Sequence, residues 1–159
     1  MPRYNLVRTS VLNSFPLFWL NLWLAFGKVP SLQYEPRTRQ VRYISLFTEC
    51  QPVGVADPNR IPNNQMTANS YHDHSSGYYP YYGRLNEKRG AGAWCPMKPW
   101  NARTDYLQVD LGTEHFVCAV ATQGSSRYNE WLTSYILLMS KDEVTWGTYK
   151  ENNAEKVRW

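Results

Sequence analysis

Apolar and polar residues alternate over residues 106–111, and the next segment, residues 116–122, is short and largely apolar. Alternation with a period of two is typical of a strand with one buried face, and a short apolar run bounded by turn residues is typical of a more buried strand. Gly112 and Gly124 follow the two segments. The pattern therefore predicts two paired central strands that are joined by a tight turn.

A third apolar segment, Ser134–Ser140, predicts another strand of the same core. Asp110 lies on the polar face of the first strand, and the pattern leaves open whether its carboxylate is solvated or buried against backbone N–H groups. The large apolar side chains in and around these segments are the candidate core. They are Trp94, Leu107, Val109, Val120, Trp131, Ile136, Leu138 and Trp146.

Residues 1–27 differ from the rest of the chain in their charge pattern. Two arginines precede residues 11–27, which carry no charged side chain and are rich in Leu, Phe and Trp. This order, with small residues at Ala25 and Gly27, is typical of a secretory signal peptide cleaved after Gly27. An uncleaved membrane anchor and a non-native N-terminus are the alternatives. Residues 28–49 carry four basic side chains and two prolines, and we interpret them as a basic linker.

The composition is that of one globular domain. The chain has 159 residues, of which 43% are hydrophobic, with seven Trp and twelve Tyr. A chain this apolar is not expected to be disordered. The net charge is only +4 and the basic residues are scattered, so we expect no binding of nucleic acid.

Signals of catalysis are weak along the chain. His72 and His74 have the spacing of adjacent metal ligands, but a third ligand cannot be named. No nucleophile or acid stands at a motif spacing from these residues or from His115, and the glycines near residue 91 lack the Lys and Ser/Thr of a phosphate loop. We therefore expect no enzymatic activity, no metal and no cofactor.

Seven short motifs follow one another from residue 50 towards the end of the chain. They are Cys50, Pro52-Val53-Gly54-Val55, residues 61–70, Gly83-Arg84-Leu85-Asn86, residues 92–124, Trp131-Leu132-Thr133-Ser134-Tyr135 and residues 140–146. In this order they resemble the discoidin family, the coagulation factor five/eight type C (F5/8 type C) domains. The resemblance covers residues 50–159, about two thirds of the chain.

The resemblance implies an all-β fold over residues 50–159. That fold is an antiparallel β-sandwich or distorted jelly-roll barrel, like the galactose-binding domains, with few helices. Members of the family continue beyond the point matched by Trp159, into the last strands and a cysteine that pairs with the first one. The domain is therefore expected to be incomplete at its C-terminus, as a truncated product or a fragment.

Three cysteines leave at least one of them without an intramolecular partner. Cys50 is expected to be unpaired, because its partner in the family would lie beyond Trp159. Cys95 precedes the first central strand and Cys118 lies in the second, so a hairpin could bring the two within bridging distance. We expect a Cys95–Cys118 disulfide, with a small buried core residue as the alternative role of Cys118.

The resemblance also implies that loops at one end of the barrel bind ligands. The first loop, residues 71–82, contains five tyrosines, and the second is residues 125–130. A tyrosine has an apolar body and a polar end, so it suits a protein contact as well as a membrane interface. The candidate ligand-binding residues at the loop tips are Tyr71, His72, His74, Tyr78, Tyr79, Tyr81, Arg127 and Tyr128.

The ligands bound within this family are phospholipid headgroups, glycans and proteins. Its lipid-binding members carry large apolar residues at the loop tips, whereas this chain has Tyr and His there. The sequence therefore favours an extracellular protein or a glycan as partner, with anionic phospholipid as an alternative. We expect a secreted or cell-surface adhesion module, or otherwise a non-binding fragment of a larger receptor or matrix protein.

Residues 142–146 depart from the family at a turn that usually reads Asp-Gly. Glu143 stands in the place of the glycine. Either Glu143 adopts a conformation that glycine takes at less cost, or the turn changes its type.

Overall fold

The computed structural model describes residues 4–13, 21–27, 51–98, 104–151 and 154–155. Within these ranges the helical segments are four short 3-10 turns, and no helix is long and apolar enough to cross a membrane. The turns are Asn63–Gln65, His72–His74, Ser76–Tyr78 and Pro80–Gly83. The strands are β1 (Tyr4–Asn13), β2 (Asn21–Gly27), β3 (Gln51–Pro52), β4 (Met66–Ala68), β5 (Tyr106–Gln123), β6 (Ser134–Ser140), β7 (Trp146–Thr148), β8 (Lys150–Glu151) and β9 (Ala154–Glu155).

Seven of these strands form one sheet. Its order is β3-β2-β5-β1-β6-β7, and β4 pairs with β5 outside this path, whereas β8 and β9 pair with each other. Every pairing between the described strands is antiparallel. The predicted antiparallel β-fold with few helices is confirmed, and the predicted strand Ser134–Ser140 is β6. The sheet of the described residues is not closed into a barrel.

β5 is one continuous strand of 18 residues and replaces the two predicted central strands. Its first part pairs with β1 and with β4, so that Val109 faces Val7 on one side and Met66 on the other. Its last part pairs with β2. Gly112 stands between the two parts with a φ of 71°, a conformation that glycine adopts without a Cβ clash. The prediction of two strands paired through a tight turn is therefore wrong, since both segments pair with other strands.

The Asp110 carboxylate binds the backbone at this change of pairing partner. Its Oδ1 accepts a hydrogen bond from the Gly112 N–H at 2.8 Å, and the residue is half-buried. Of the two alternatives that the sequence left open, the structure therefore favours the carboxylate bound to a backbone N–H group.

β1 and β2 bring part of residues 1–27 into the sheet. β1 lies between β5 and β6, and its Leu6 and Val7 are 4% and 0% exposed. The sequence did not predict strands before residue 50. The signal peptide stays a prediction, and the predicted linker, residues 28–49, lies outside the described residues, as does Cys50.

The core contains the side chains that the alternation of β5 placed there. Trp94, Leu107 and Val109 are fully buried, and Val120 packs against them from the second half of β5. These four predicted core positions are confirmed. The same cluster also buries Val7, Val55, Ile61, Met66, Leu111, Leu132, Leu137 and Met139.

In β6 the structure buries the opposite face from the one that was predicted. Leu137 and Met139 are each 8% exposed, whereas Ile136 and Leu138 are only half-buried. Residues 135–139 are all apolar, so the sequence has no alternation that marks the core face. A strand exposes every second side chain to the opposite face, so a shift by one position exchanges the two sets.

Two tryptophans near β6 also differ from the prediction. Trp146 is half-buried, and Trp131 is 51% exposed. The neighbouring Leu132, at 5%, occupies the core position instead. The chain before it folds back on Gly124, where an added Cβ would lie 2.6 Å from the Glu130 carbonyl oxygen. This close backbone contact fixes which of the two adjacent side chains reaches the core.

Candidate ligand-binding site

The tyrosine-rich segment, residues 71–82, folds into 3-10 turns whose rings pack on one another. The Tyr79 ring is central, with the centroids of Tyr71, Tyr81 and Tyr82 at 5.5, 5.3 and 6.3 Å. Tyr81 and Tyr82 meet edge to face at 4.7 Å. Such distances are those of favourable aromatic pairs. The segment is therefore an ordered aromatic surface.

The two predicted histidines lie in a strained turn at the start of this segment. The His74 ring packs edge-on at 5.4 Å from Tyr71, and the His72 ring at 5.1 Å from Tyr78. Asp73 and His74 have φ values of 50° and 48°, in the left-handed region that non-glycine residues rarely occupy. Two consecutive residues of this kind are a local strain that is typical of binding loops.

The tyrosines also have a packing role. Tyr71 and Tyr81 contact the main core, and Tyr78 contacts a second, smaller cluster that includes Cys95. Every tyrosine of residues 71–82 is half-buried, whereas His74 is exposed. A ligand would therefore meet ring edges held in fixed positions rather than free side chains.

Arg84 anchors the end of the tyrosine-rich segment. Its side chain is buried, and its guanidinium donates to the carbonyl oxygens of Val55 and Ile61, the latter at 2.8 Å. It also donates to Asn63 Oδ1 at 2.9 Å. Burial lowers the pKa of Arg84 from its usual value. The Arg84 side chain therefore connects residues 55–63 to the backbone that follows the tyrosine-rich segment.

The second predicted loop, residues 125–130, is fastened to residues 87–92. Ser125 Oγ donates to the Ala91 carbonyl oxygen at 3.0 Å, and Ser126 Oγ donates to that of Glu87 at 2.6 Å. Arg127 donates twice to the Lys88 carbonyl oxygen, from Nε at 3.2 Å and from Nη2 at 2.9 Å. Arg127, one of the predicted ligand-binding residues, can therefore offer a ligand only the part of its guanidinium that these two bonds leave open.

Tyr128 and Trp131 expose aromatic surface at this second loop. They are 50% and 51% exposed. Tyr128 was among the predicted binding residues, whereas Trp131 was assigned to the core. No signal in the sequence identifies Trp131 as the exposed one, because alternation shows that Trp131 and Leu132 face opposite sides but not which of them faces the core.

Glu130 of the second loop lies near His72 of the first loop. Burial raises the pKa of Glu130, and the nearby His72 partly offsets this rise. Glu130 Oε2 and His72 Nδ1 are buried and have no hydrogen-bond partner within the described ranges.

The described residues contain no group of three His, Cys, Asp or Glu side chains that could hold a metal ion. His72 Nε2 lies 3.4 Å from Asp73 Oδ2, which is the pairing that the His-Asp-His sequence makes instead. The chemistry that this surface offers is therefore aromatic contact and hydrogen bonding.

The cysteines differ from their predicted pairing. Cys95 is a free thiol at 0% exposure, and Cys118 is disulfide-bonded. The predicted Cys95–Cys118 disulfide is therefore wrong. Its premise was a hairpin between two strands, and the continuous β5 does not form that hairpin.

We expect Cys95 to be unreactive in the folded protein. Burial raises the pKa of its thiol, so the reactive thiolate is scarce at neutral pH. Alkylation at pH 8 should be slower than in denaturant by about two orders of magnitude or more, because each pKa unit lowers the thiolate fraction tenfold. Mass spectrometry after timed iodoacetamide treatment measures this rate. Rapid labelling under native conditions would contradict the buried position.

Comparison with known proteins identifies one domain type. The family model of the F5/8 type C domain matches residues 65–158. The chain is 33% identical to bovine (Bos taurus) lactadherin over 114 residues, which is 68% of this chain and 26% of that protein. It is 34% identical to mouse (Mus musculus) lactadherin over 113 residues, 67% of this chain and 24% of that protein.

A second kind of relative has a similar coverage. The human (Homo sapiens) EGF-like repeat and discoidin I-like domain-containing protein 3 is 38% identical over 104 residues, 62% of this chain and 21% of that protein. The chain thus spans about a quarter of the length of the curated relatives it matches. No solved structure matches it significantly.

Proposed function

Because the chain belongs to the F5/8 type C domain family, we propose that it is a non-catalytic extracellular binding module. Its contact surface is formed by the loop residues Tyr71, His72, His74, Tyr78, Tyr79, Tyr81, Arg127 and Tyr128, to which the structure adds Trp131. We call these nine residues the loop surface. Its ligand in this proposal is an extracellular protein or a glycan.

The observation that carries the proposal is the fixed arrangement of rings in residues 71–82. The rings are already packed on one another and on the core, so binding loses little side-chain freedom. Tyrosines held in this way are frequent energetic anchors of protein contacts. The hydrogen bonds of residues 125–127 to residues 87–91 hold the second loop in the same manner.

Trp131 favours a second candidate, an anionic phospholipid surface. A half-exposed tryptophan beside a half-exposed tyrosine presents the amphipathic rings that lie at membrane interfaces. The net charge of +4 would add a weak attraction to an anionic surface. The protein or glycan proposal remains first, because four of the nine residues of the loop surface are half-buried tyrosines and Trp131 alone is a projecting apolar side chain without a polar end of the tyrosine type.

We expect a chain with Tyr128→Ser and Trp131→Ser to bind its ligand more weakly. These two side chains are exposed and have no core position, so the variant should stay folded. Loss of each anchor should cost about 1–2 kcal/mol of binding free energy if it contacts the ligand. The chain and the variant are screened on a glycan array, on matrix proteins, and on liposomes with and without anionic lipid.

Val144→Ser is the matched control for this screen. Val144 is 83% exposed and lies in the β6–β7 turn, outside the loop surface. It should leave binding unchanged. Equal affinity of the double variant and the parent chain would show that the second loop is not part of the binding surface. Binding that is confined to anionic liposomes would support the phospholipid candidate.

A further inference from the structure

The guanidinium of Arg8 in β1 contacts three side chains from β5 and β7. Arg8 Cζ lies 3.7 Å from the ring centroid of Tyr106 and 3.9 Å from that of Trp146. Its Nε and Nη2 both donate to Gln108 Oε1, at 3.1 and 2.6 Å. Such cation–π contacts and a paired hydrogen bond are typical of specific arginine recognition.

Glu143 determines which end of the Gln108 amide faces Arg8. Gln108 Nε2 donates to Glu143 Oε1 at 2.7 Å, and Gln108 is only 7% exposed. An ionised carboxylate accepts hydrogen bonds and donates none, so it takes the NH2 end of the amide and leaves the carbonyl end for the guanidinium. We call Tyr106, Gln108, Glu143 and Trp146 the arginine cage.

One residue of the cage, Glu143, has a strained backbone conformation. Glu143 has a φ of 60°, in the left-handed region where glycine would be unstrained. This confirms the first of the two alternatives for the turn that the sequence left open. The Trp146 Nε1–H donates to the Glu143 carbonyl oxygen at 2.9 Å, so one cage residue holds another in this conformation. Strain that is retained in this way is a sign of a binding role.

β1 is hydrogen-bonded to a neighbouring strand along both of its edges. β1 pairs with β5 from Leu6 to Ser10 and with β6 from Leu6 to Val11. Arg8 stands opposite Gln108 in one ladder and opposite Leu138 in the other. The main chain of β1 is therefore held without regard to sequence, whereas the cage selects an arginine at one position.

We propose that the groove between β5 and β6 is a strand-binding site with an arginine-reading subsite, and that its ligand is an extended peptide with the sequence of residues 4–13. In the folded chain this ligand is the chain's own β1. Once β1 is weakened, the same sequence binds when it is added as a separate peptide. The site is distinct from the loop surface, so this proposal does not depend on the proposed function.

The test uses the full chain with Arg8→Ala, which weakens its own strand but keeps the groove and the cage. A fluorescent synthetic peptide of residues 4–13 is titrated into it, beside the same peptide with Arg8→Ala. The peptide with arginine should bind at least about tenfold more tightly, which is the size of a partly buried cation–π and hydrogen-bonded contact. Equal affinity of the two peptides would overturn the arginine-reading subsite, and a folded Arg8→Ala chain that binds neither would overturn the strand-binding site.

Glu143→Gly in the same chain separates recognition of the peptide's arginine from the stability of the β6–β7 turn. Glycine relieves the backbone at residue 143 but removes the carboxylate that orients Gln108. The preference for the arginine peptide should then fall to about threefold or less while the turn is not weakened. A tenfold preference that survives Glu143→Gly would contradict the assigned role of the cage.

A second measurement applies if the Arg8→Ala chain does not fold. Glu143→Gly alone, in the chain with its own Arg8, should speed amide hydrogen exchange in β1 by about tenfold and leave β2 unchanged. β2 pairs with β3 and with residues 116–123 of β5, and none of these residues belongs to the cage. Unchanged exchange in β1 would overturn the proposal.

Discussion

A chain that begins at Lys28 is expected to show no cooperative unfolding transition. It lacks β1, which lies between β5 and β6, and β2, which pairs with the second half of β5. Loss of the buried side chains of Leu6 and Val7 alone removes about 3–6 kcal/mol of burial free energy. That is comparable with the whole stability of a small domain, about 5–15 kcal/mol. Thermal unfolding followed by circular dichroism is the measurement.

The control is a chain from which only residues 1–3 are removed, which retains both strands and should unfold cooperatively. The N-terminus of the protein purified from expressing cells completes the test, because cleavage after Gly27 would remove β1 and β2. If that protein begins at Lys28 and still unfolds in one sharp transition, the placement of β1 within the sheet is contradicted. If residues 4–27 are retained, the predicted cleavage of a signal peptide is wrong.

Replacement of Arg84 by alanine should lower the free energy of unfolding by about 3–5 kcal/mol. The change leaves the buried carbonyl oxygens of Val55 and Ile61 without their donor, and it also removes the bond to the exposed Asn63. Each unsatisfied buried acceptor costs about 1–3 kcal/mol. Urea denaturation followed by tryptophan fluorescence measures the difference, because Trp94 is part of the core.

Lys141→Ala is the control for Arg84→Ala, because it removes the same charge from an exposed position. It should change stability by less than about 0.5 kcal/mol. Arg84→Lys adds a second comparison, since an ammonium cannot reproduce the forked geometry that reaches three acceptors. Arg84→Ala with a stability equal to that of the Lys141→Ala chain would show that the buried guanidinium does not hold residues 55–63.

The strand β6 and four of the eight predicted core residues agree with the structure because they depend on local patterns. The bounds of β6 follow from an apolar run, and Leu107 and Val109 follow from strict alternation. The buried face of β6 could not be predicted, because residues 135–139 are apolar on both faces. The buried face is set by the pairing of β6 in the sheet, above all with β1, which is distant in sequence.

The role of the N-terminal residues could not be read from the sequence for a similar reason. A charge-free apolar run after two arginines fits a signal peptide, and it fits buried strands equally well. The strand β1 depends on contacts such as that of Arg8 with Gln108, which lies 100 positions further along the chain, and the signal peptide stays a prediction. At the loop surface, the aromatic cluster could be predicted from the number of tyrosines in residues 71–82. The exposure of Trp131 could not, because it depends on the backbone contact at Gly124.

The length of β5 has a mechanical consequence. The strand runs without interruption from Tyr106, beside β1 and β4, to Gln123, where the second loop of the loop surface begins. Hydrogen bonds between strands lie across the strand axis, so a pull along that axis strains many of them at once. A ligand that pulls on residues 125–131 along the axis of β5 therefore applies shear to the hydrogen bonds that join β5 to β2, β1 and β4. Such a domain resists the force until all of these bonds break together.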